Sequence, residues 1–196
     1  MKWIVGVDEA GRGPLAGPVA VGAVLVAEDV DLHALFPGLN DSKKLSEKVR
    51  EEIYEKLIHA HTEGQVRFQV EFRSAALIDE RGISPCIRES VAACVRALMP
   101  EPQAGKVFLD GSLKAPAEYA QETVIGGDAI VPAIMLASVA AKVLRDRLLV
   151  KLANEYPLYG FERHKGYGTK AHREAIQAHG PCVEHRRSYL KNVYIG

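Results

Sequence analysis

Short apolar segments predict the strands of a β-sheet. Residues 2–8 form a mostly apolar segment that reaches an aspartate, and residues 19–26 carry no polar side chain, as expected of a strand that is covered on both faces. Apolar and polar residues alternate over 66–73, which is the period of a half-buried strand. Two shorter apolar segments, 106–110 and 122–125, predict a fourth and a fifth strand.

Helix signals lie between these strands and after the last of them. Ser46 is a predicted N-cap, and Ser84-Pro85 opens a second helix with proline in its first turn. A long helix begins at Pro132 and ends near Glu155, and Thr169 caps a last one. Strands that alternate with helices predict an α/β fold, a mixed β-sheet flanked by helices.

Length and composition fit one globular domain. The chain has 196 residues, 47% of them hydrophobic, so we expect a single domain over 1–196 with a helical C-terminal part, about 160–196, packed on it. No apolar stretch approaches the roughly 20 residues of a membrane span, and the apolar run at the N-terminus is too short for a signal peptide. We therefore expect a cytoplasmic protein without a membrane partner.

The charge balance restricts how a nucleic acid could be bound. Lysine and arginine number 25, and aspartate and glutamate also number 25, so no overall positive field attracts a polyanion. Over 163–191, basic residues clearly outnumber acidic ones. This segment is either a local binding patch or ordinary solvated surface.

Acidic residues follow three of the predicted strands. Asp8 ends the first strand, Asp110 ends a later one, and Asp128 lies in a glycine turn after the next. Sites in α/β proteins collect at the carboxyl ends of parallel strands, so these acids converge if the strands run side by side. Glu9 joins them only if the first strand ends at Asp8, because side chains alternate along a strand.

Clustered carboxylates indicate a site for hard cations. Oxygen ligands suit Mg²⁺ or Mn²⁺, whereas zinc calls for a histidine and cysteine spacing that this sequence lacks. Carboxylate sites with two such ions commonly cleave phosphodiester bonds. On placement alone, the alternative that these acids are solvated turns at strand ends remains open.

A glycine-rich loop, Gly11-Arg12-Gly13, separates the first two strands. It is not a dinucleotide fingerprint, because prolines at 14 and 18 block the helix that should follow, and no GxxxxGK motif occurs in the chain. Glycine lets a backbone approach a ligand closely, and the guanidinium of Arg12 is available for phosphate.

Five segments, in this order, resemble those of the type 2 ribonuclease H (ribonuclease HII) family. They span nearly the whole chain: Gly6–Val19, Asp41–Ser46, Phe108–Gly111, Gly126–Asp146 and His164–Thr169. The resemblance implies a ribonuclease H-like fold and hydrolysis of the RNA strand of RNA–DNA hybrids. It also implies cleavage 5′ to a single ribonucleotide in duplex DNA, with 5′-phosphate and 3′-hydroxyl ends, and a role in ribonucleotide removal during DNA repair and replication.

The resemblance also assigns residues and a cofactor. Four acids match the family's metal-binding and catalytic residues, which act with two Mn²⁺ or Mg²⁺ ions: Asp8, Glu9, Asp110 and Asp128. The loop with Gly11, Arg12 and Gly13 looks like the family's reader of the ribose 2′-hydroxyl. Tyr167 looks like the tyrosine that packs on the sugar after the ribonucleotide.

Other positions carry weaker expectations. Lys43 is either a phosphate contact or a solvated lysine, and Asp146 is better explained as an i, i+4 partner of Lys142 than as a fifth ligand. The segment 188–196 shows no clear clamp-binding peptide with a glutamine and paired aromatic residues. We expect a monomer.

Two other function classes compete with a nuclease. A phosphotransferase or ATPase of the same broad fold would need two glycine-rich phosphate loops, and only one such loop stands out. A non-catalytic nucleic-acid-binding module is disfavoured, because four acids repel a polyanion unless metal ions lie between them.

Overall fold

In the computed structural model, which describes residues 2–193, a five-stranded sheet forms the centre of the fold. Its strands are β1 (Trp3–Ala10), β2 (Val19–Ala27), β3 (Arg67–Arg73), β4 (Gly105–Asp110) and β5 (Gln121–Val124). The order across the sheet is β3-β2-β1-β4-β5. β1 pairs in parallel with β4, and β4 in parallel with β5, whereas the two pairings of β2 are antiparallel. The predicted mixed sheet is confirmed.

Helices cover both faces of the sheet and form the C-terminal part. The α-helices are α1 (Leu32–Leu35), α2 (Glu47–Thr62), α3 (Ala75–Arg81), α4 (Ile83–Leu98), α5 (Pro132–Glu155), α6 (Phe161–His164) and α7 (Lys170–His179). Short 3₁₀ helices lie at Pro102–Ala104, Gly127–Ala129 and Arg187–Asn192. None of the helices within residues 2–193 is long and apolar enough to cross a membrane.

The predicted helix starts are correct where a side chain caps the helix. The Ser46 hydroxyl accepts the N–H of Val49 at the start of α2, and Thr169 caps α7 in the same way. The start predicted at Ser84 is one residue late, and α3 was not predicted. These two helices are separated only by Gly82, whose φ of 83° turns the chain, so the sequence pattern runs through the break.

Helix α5 lies unusually close to the sheet because two strands offer glycine beneath it. A β-carbon at Gly6 of β1 would overlap the backbone of Ala133, and one at Gly22 of β2 would overlap the carbonyl of Ala137. The helix is buried on several sides, between the sheet, α2 and the C-terminal part, and its apolar residues are therefore not confined to one stripe. Each large apolar side chain buried there contributes about 1.5–3 kcal/mol.

Candidate active site

Three carboxylates meet at the carboxyl ends of the parallel strands. Asp8, Asp110 and Asp128 each offer an oxygen, and these oxygens lie within 4.8 Å of one another. The ladder between β1 and β4 ends at the pair Val7–Leu109, so Asp8 and Asp110 follow level with each other. Asp128 comes from the 3₁₀ turn after β5, and its N–H donates to Oδ1 of Asp110 at 3.4 Å. The predicted convergence of these three residues is confirmed.

Asp8 is the most enclosed acid of this three-acid group. It is 5% exposed, and burial raises the pKa of its carboxyl to about 7, against the opposing effect of a hydrogen bond from Ser138. The charges of Glu9 and Asp110 raise this pKa further. The Ser138 hydroxyl also lies 2.8 Å from that of Ser42. A buried carboxylate beside two others favours a cation at this point.

Glu9 lies outside the three-acid group. The prediction that the first strand ends at Asp8 is wrong, because β1 remains paired with β2 as far as Ala10. Glu9 therefore points to the opposite face of the strand, where its carboxylate accepts a hydrogen bond from Arg12 at 3.4 Å. Burial raises the pKa of Glu9, Arg12 lowers it, and the charge of Asp110 raises it. Glu9 therefore interacts electrostatically with the three-acid group although it lies outside it.

Lys43 reaches the three-acid group from the loop before α2. Its Nζ lies 2.7 Å from Oδ2 of Asp128, and this hydrogen bond raises the pKa of the lysine although its side chain is 76% exposed. The loop is held in place because Arg50 donates to the carbonyls of Ser42 and Leu45. An exposed ammonium is therefore fixed beside the candidate metal ligands.

The loop over residues 11–18, the glycine loop, is held from inside by Arg145. This arginine of α5 is fully buried, and it donates to the carbonyls of Pro18 at 2.8 Å, Lys165 at 3.0 Å and Ala16 at 3.1 Å. Burial lowers the pKa of Arg145 to about 10, so the group is still charged at neutral pH. Backbone carbonyls thus compensate this buried charge in place of a carboxylate.

Arg186 holds the same loop from the C-terminal part. It is also fully buried, and it donates to the carbonyls of Gly11 at 2.6 Å, Gly17 at 3.0 Å and Arg12 at 3.0 Å. Within residues 2–193, the backbone N–H groups of Arg12 and Gly13 have no protein acceptor. The two arginines therefore bind the carbonyls of the glycine loop and leave N–H groups at its tip free for a ligand.

The three positions of the predicted reader differ in their surroundings. Gly11 is buried with φ of 87°, and a β-carbon there would overlap the guanidinium of Arg145. Gly13 is exposed, and a β-carbon there would have no atom within 4 Å. The Arg12 side chain is 49% exposed. Gly11 is thus required by the fold itself, whereas Gly13 is open to an approaching ligand.

Tyr167 lies next to the glycine loop and is 44% exposed. The turn that carries it is attached to the loop, because the carbonyl of Gly166 accepts from the N–H groups of Leu15 and Ala16. Nζ of Lys142 lies 5.9 Å from the centre of the tyrosine ring. The predicted pair of Lys142 with Asp146 is confirmed at 2.8 Å.

A cationic cleft of about 230 Å³ opens on the Arg12 side of the acids. Its charged lining residues are Arg12, Arg88 and Lys114, and none of the lining residues is acidic. The cleft adjoins the three-acid group, because Ser112, another lining residue, follows Asp110 by two positions. This is a local basic surface in a protein whose net charge is zero.

The sequence did not identify four of the residues that build this site: Ser42, Ser138, Arg145 and Arg186. Ser138 stands among alanines in α5, and such a run of small residues usually indicates close helix packing rather than a site. Arg186, His172 and His185 belong to the segment with excess basic residues, yet all three are buried. That segment is therefore not a uniform surface patch, and part of its positive charge supports the glycine loop.

Comparisons with known proteins identify the family and agree with the fold. The family model for ribonuclease HII matches residues 5–192. A ribonuclease HII of Bacillus cereus (strain Q1) is 44% identical over 189 residues, which cover 96% of this chain and 69% of that protein. The ribonuclease H2 of Pyrococcus horikoshii OT3 superposes with a TM-score of 0.76 at 27% identity, over 95% of this chain and 93% of that chain. RNase HII in its PCNA complex from Archaeoglobus fulgidus gives 0.76 at 25% identity, over 97% and 96%.

The ribonuclease H-like fold implied by the sequence motifs is confirmed by these superpositions. The matched region includes most of β1, the two strands β4 and β5, the glycine loop and the Tyr167 turn. The chain belongs to the ribonuclease HII family, and it is accordingly a metal-dependent nuclease with ribonuclease H activity on RNA–DNA hybrids.

Proposed function

We propose that this enzyme also cuts duplex DNA on the 5′ side of a single embedded ribonucleotide and leaves 5′-phosphate and 3′-hydroxyl ends. The observation that carries the proposal is the position of the glycine loop, with its free N–H groups, directly after the strand that bears Asp8. The glycine loop can bind one 2′-hydroxyl while the adjacent three-acid group acts on the neighbouring phosphate, so a single ribonucleotide is sufficient for recognition. Such cleavage starts the removal of ribonucleotides in DNA repair and replication.

The donor set fits Mg²⁺ or Mn²⁺, and we assign Asp8, Asp110 and Asp128 as ligands with Glu9 as the fourth. The raised pKa of Asp8 supports this assignment, because within residues 2–193 no basic side chain forms an ion pair with that buried carboxylate. When bound, a pair of such ions activates water and stabilises the leaving oxygen of a phosphodiester. Glu9, whose carboxylate accepts a hydrogen bond from Arg12, would hold such an ion only after this bond breaks, and Arg12 would then be available for a substrate phosphate.

Substrate recognition is assigned to the glycine loop and the Tyr167 turn. The 2′-hydroxyl both donates and accepts, so it pairs with backbone groups where no side chain intervenes, as at Gly13. Arg12 holds the neighbouring phosphate, and the exposed Tyr167 ring packs on the next sugar. DNA without the hydroxyl leaves the loop's polar groups unpaired, at a cost of about 1–3 kcal/mol for each group.

Lys43 is assigned to the phosphate that lies at the three-acid group. Its ammonium already lies 2.7 Å from Asp128, so it is placed to contact an anion that approaches these acids. Its high exposure leaves it accessible to a duplex. On the other side, the cationic cleft with Arg88 and Lys114 is assigned to the backbone of the same duplex.

One assay separates this function from its rivals. We expect an end-labelled DNA duplex with one ribonucleotide to be cut on the 5′ side in Mn²⁺ or Mg²⁺, and not in chelator. An all-DNA duplex is the control and stays intact. A phosphotransferase or a simple binding module cuts neither substrate. An enzyme that cuts an RNA–DNA hybrid but not the single-ribonucleotide duplex would have ribonuclease H activity without the proposed cleavage.

The remaining expectations about partners stay predictions. The expected absence of a clamp-binding peptide falls partly on residues 194–196, which lie outside the described residues. The Archaeoglobus fulgidus protein was solved as a complex with PCNA, and that fact is a property of that protein. A monomeric, cytoplasmic enzyme is likewise a proposal.

A further inference from the structure

Two buried histidines lie behind the turn that carries Tyr167. His172 and His185 are fully or almost fully buried, and their Nε2 atoms are 3.1 Å apart. Nδ1 of His172 lies 2.9 Å from the carbonyl oxygen of Tyr167. On the far side, Nδ1 of His185 lies 3.0 Å from the backbone nitrogen of Cys182 and 3.1 Å from its sulfur. The result is a continuous chain of hydrogen bonds from Cys182 to Tyr167.

The partners at both ends fix every proton in this chain. A carbonyl oxygen can only accept, so Nδ1 of His172 carries a proton, and its Nε2 is then the acceptor in a neutral ring. A backbone N–H can only donate, so Nδ1 of His185 is an acceptor, and its Nε2 carries the proton. Both ends therefore give the same direction for the central contact, in which His185 donates to His172.

This arrangement requires both rings to be neutral. A proton added to either ring gives it hydrogens on both nitrogens, and one hydrogen bond in the chain is then replaced by two opposed donors. Among the described residues, three titratable side chains contact the pair: His164, whose ring stacks on His172 at 4.3 Å, Tyr159, whose ring lies 4.8 Å from that of His185, and Cys182. Within residues 2–193, no carboxylate hydrogen bonds to either ring. Burial lowers the pKa of both His172 and His185 to about 4.

The carbonyl at the end of this chain belongs to the substrate-facing residue. The ring of Tyr167 is not anchored in the core, since the residue is 44% exposed. Its backbone is fixed instead, through the N–H of Thr169 and Nδ1 of His172 on its carbonyl, and through its own N–H on the carbonyl of His164. The direction in which the ring projects depends on these bonds.

We propose that His172 and His185 are positioning residues for Tyr167, acting as a neutral, directionally ordered pair that fixes the backbone from which the tyrosine meets the substrate sugar. This inference rests on the proposed function, because it takes Tyr167 as a contact to substrate. The pair does not touch the reacting atoms. Its contribution is to the cleavage of the substrate that Tyr167 recognises.

The wild-type protein allows a direct test of the proton order. Long-range ¹H–¹⁵N NMR spectra distinguish the two neutral histidine tautomers from each other and from the charged ring. At pH 6 we expect His172 as the Nδ1–H tautomer and His185 as the Nε2–H tautomer, with neither ring charged. Any other tautomer, or a charged ring at that pH, overturns the proposal. This measurement needs no variant and no substrate.

A double-mutant cycle tests whether the pair acts through Tyr167. His172→Ala should lower kcat/KM on the single-ribonucleotide duplex by about tenfold, and the same change in a Tyr167→Ala background should cost less than about twofold. Rescue by His172→Asn, whose amide can donate to the same carbonyl, is expected to be partial. His59→Ala, at an exposed position of α2, is the control and stays at the wild-type value.

The outcomes separate this inference from the proposed function. An equal loss from His172→Ala in both backgrounds overturns the positioning role, because the histidines then only stabilise the fold. If Tyr167→Ala itself has no effect, the assignment of Tyr167 is wrong, and the positioning role is overturned with it. If the wild-type enzyme does not cut the single-ribonucleotide duplex, the proposed function fails, and the NMR result still decides the proton order.

Discussion

Gly11 packs against Arg145 so closely that a β-carbon on the glycine would overlap the guanidinium. The absence of a side chain at Gly11 explains how a buried arginine can lie directly beneath the glycine loop. Gly11 also has φ of 87°, a conformation that other residues rarely adopt. Two residues later, Gly13 has neither restriction.

We therefore expect the two glycine substitutions to differ in their effect on stability. Gly11→Ala should lower both the melting temperature and the activity, because it strains the backbone and displaces Arg145. Gly13→Ala should leave the melting temperature unchanged and still reduce single-ribonucleotide cleavage by about tenfold, since its methyl group occupies the path of the sugar. Thermal unfolding and kcat/KM are measured on the same preparations.

Gly38→Ala is the matched control for the first variant. Gly38 has φ of 88° but nothing near its missing side chain, so it isolates the cost of the backbone conformation. A Gly11→Ala protein as stable as the Gly38→Ala protein would contradict the overlap with Arg145. Wild-type cleavage by Gly13→Ala would show that the sugar is recognised elsewhere.

Asp8→Asn and Asp110→Asn should each reduce cleavage to below a tenth of the wild-type rate, a barrier change of more than about 1.4 kcal/mol. Both acids contribute oxygens to the three-acid group. Calorimetry should show that Mn²⁺ binding weakens in each variant. Asp146→Asn removes a buried acid outside that group and should leave Mn²⁺ binding unchanged. Variants that retain both binding and activity would refute the metal site.

Asp8 also predicts a pH dependence of stability without metal. Folding raises the pKa of Asp8 from 3.8 to about 7, so the folded state holds a proton more tightly and loses stability as the pH rises through this interval. In chelator, Asp8→Asn should therefore melt at a higher temperature than the wild type at pH 8 and not at pH 4. The same difference at both pH values would exclude ionisation as the cause.

Lys43→Ala should reduce cleavage and increase the affinity for Mn²⁺. In the proposed function the lysine contacts a substrate phosphate, and its ammonium would compete with a cation for Asp128, which it contacts at 2.7 Å. Lys44→Ala is the control, because Lys44 is also exposed and its side chain makes no hydrogen bond or ion pair with the described residues. Identical Mn²⁺ affinity in the wild type and Lys43→Ala would remove Lys43 from the site.

The cationic cleft predicts a change in the salt dependence of duplex binding. Arg88→Ala combined with Lys114→Ala should make the slope of log K against log salt shallower by about two on an uncleaved all-DNA duplex in Mg²⁺. Lys151→Ala removes an exposed charge roughly 20 Å along α5 from Ser138 and should leave the slope unchanged. A slope that is also unchanged in the double variant would mean that the cleft contacts no phosphate.

Local rules in the sequence identified the fold and the acids. Alternation and capping residues predict strands and helices directly, and Ser46, Pro132 and Thr169 mark helix starts that the structure confirms. The convergence of Asp8 and Asp110 followed from the rule that sites form at the ends of parallel strands. Each of these inferences needs only neighbours in the chain or one pairing of strands.

Contacts between distant segments could not be predicted in this way. Arg145 and Arg186 lie in segments whose charge suggests surface, and only the folded chain shows that both bind carbonyls of the glycine loop. The strand end expected at Asp8 was wrong for a similar reason, because pairing with β2 extends β1 beyond the acids. In the sequence Ser138 looks like a packing residue, and only the folded chain shows its hydrogen bond to Asp8.

The bonds from Arg186 to Gly11 and Arg12 span 175 and 174 positions of the sequence, and this distance has a consequence for the order of synthesis. A ribosome extends a chain by about 5–20 residues each second, so the acids of β1 and β4 emerge several seconds before Arg186 does. During that interval the nascent polypeptide already contains Asp8 and Asp110, but it lacks the arginine that fixes the glycine loop. If the glycine loop reads the sugar as proposed, a nuclease translated on messenger RNA acquires its discrimination between sugars only after residue 186 has left the ribosome.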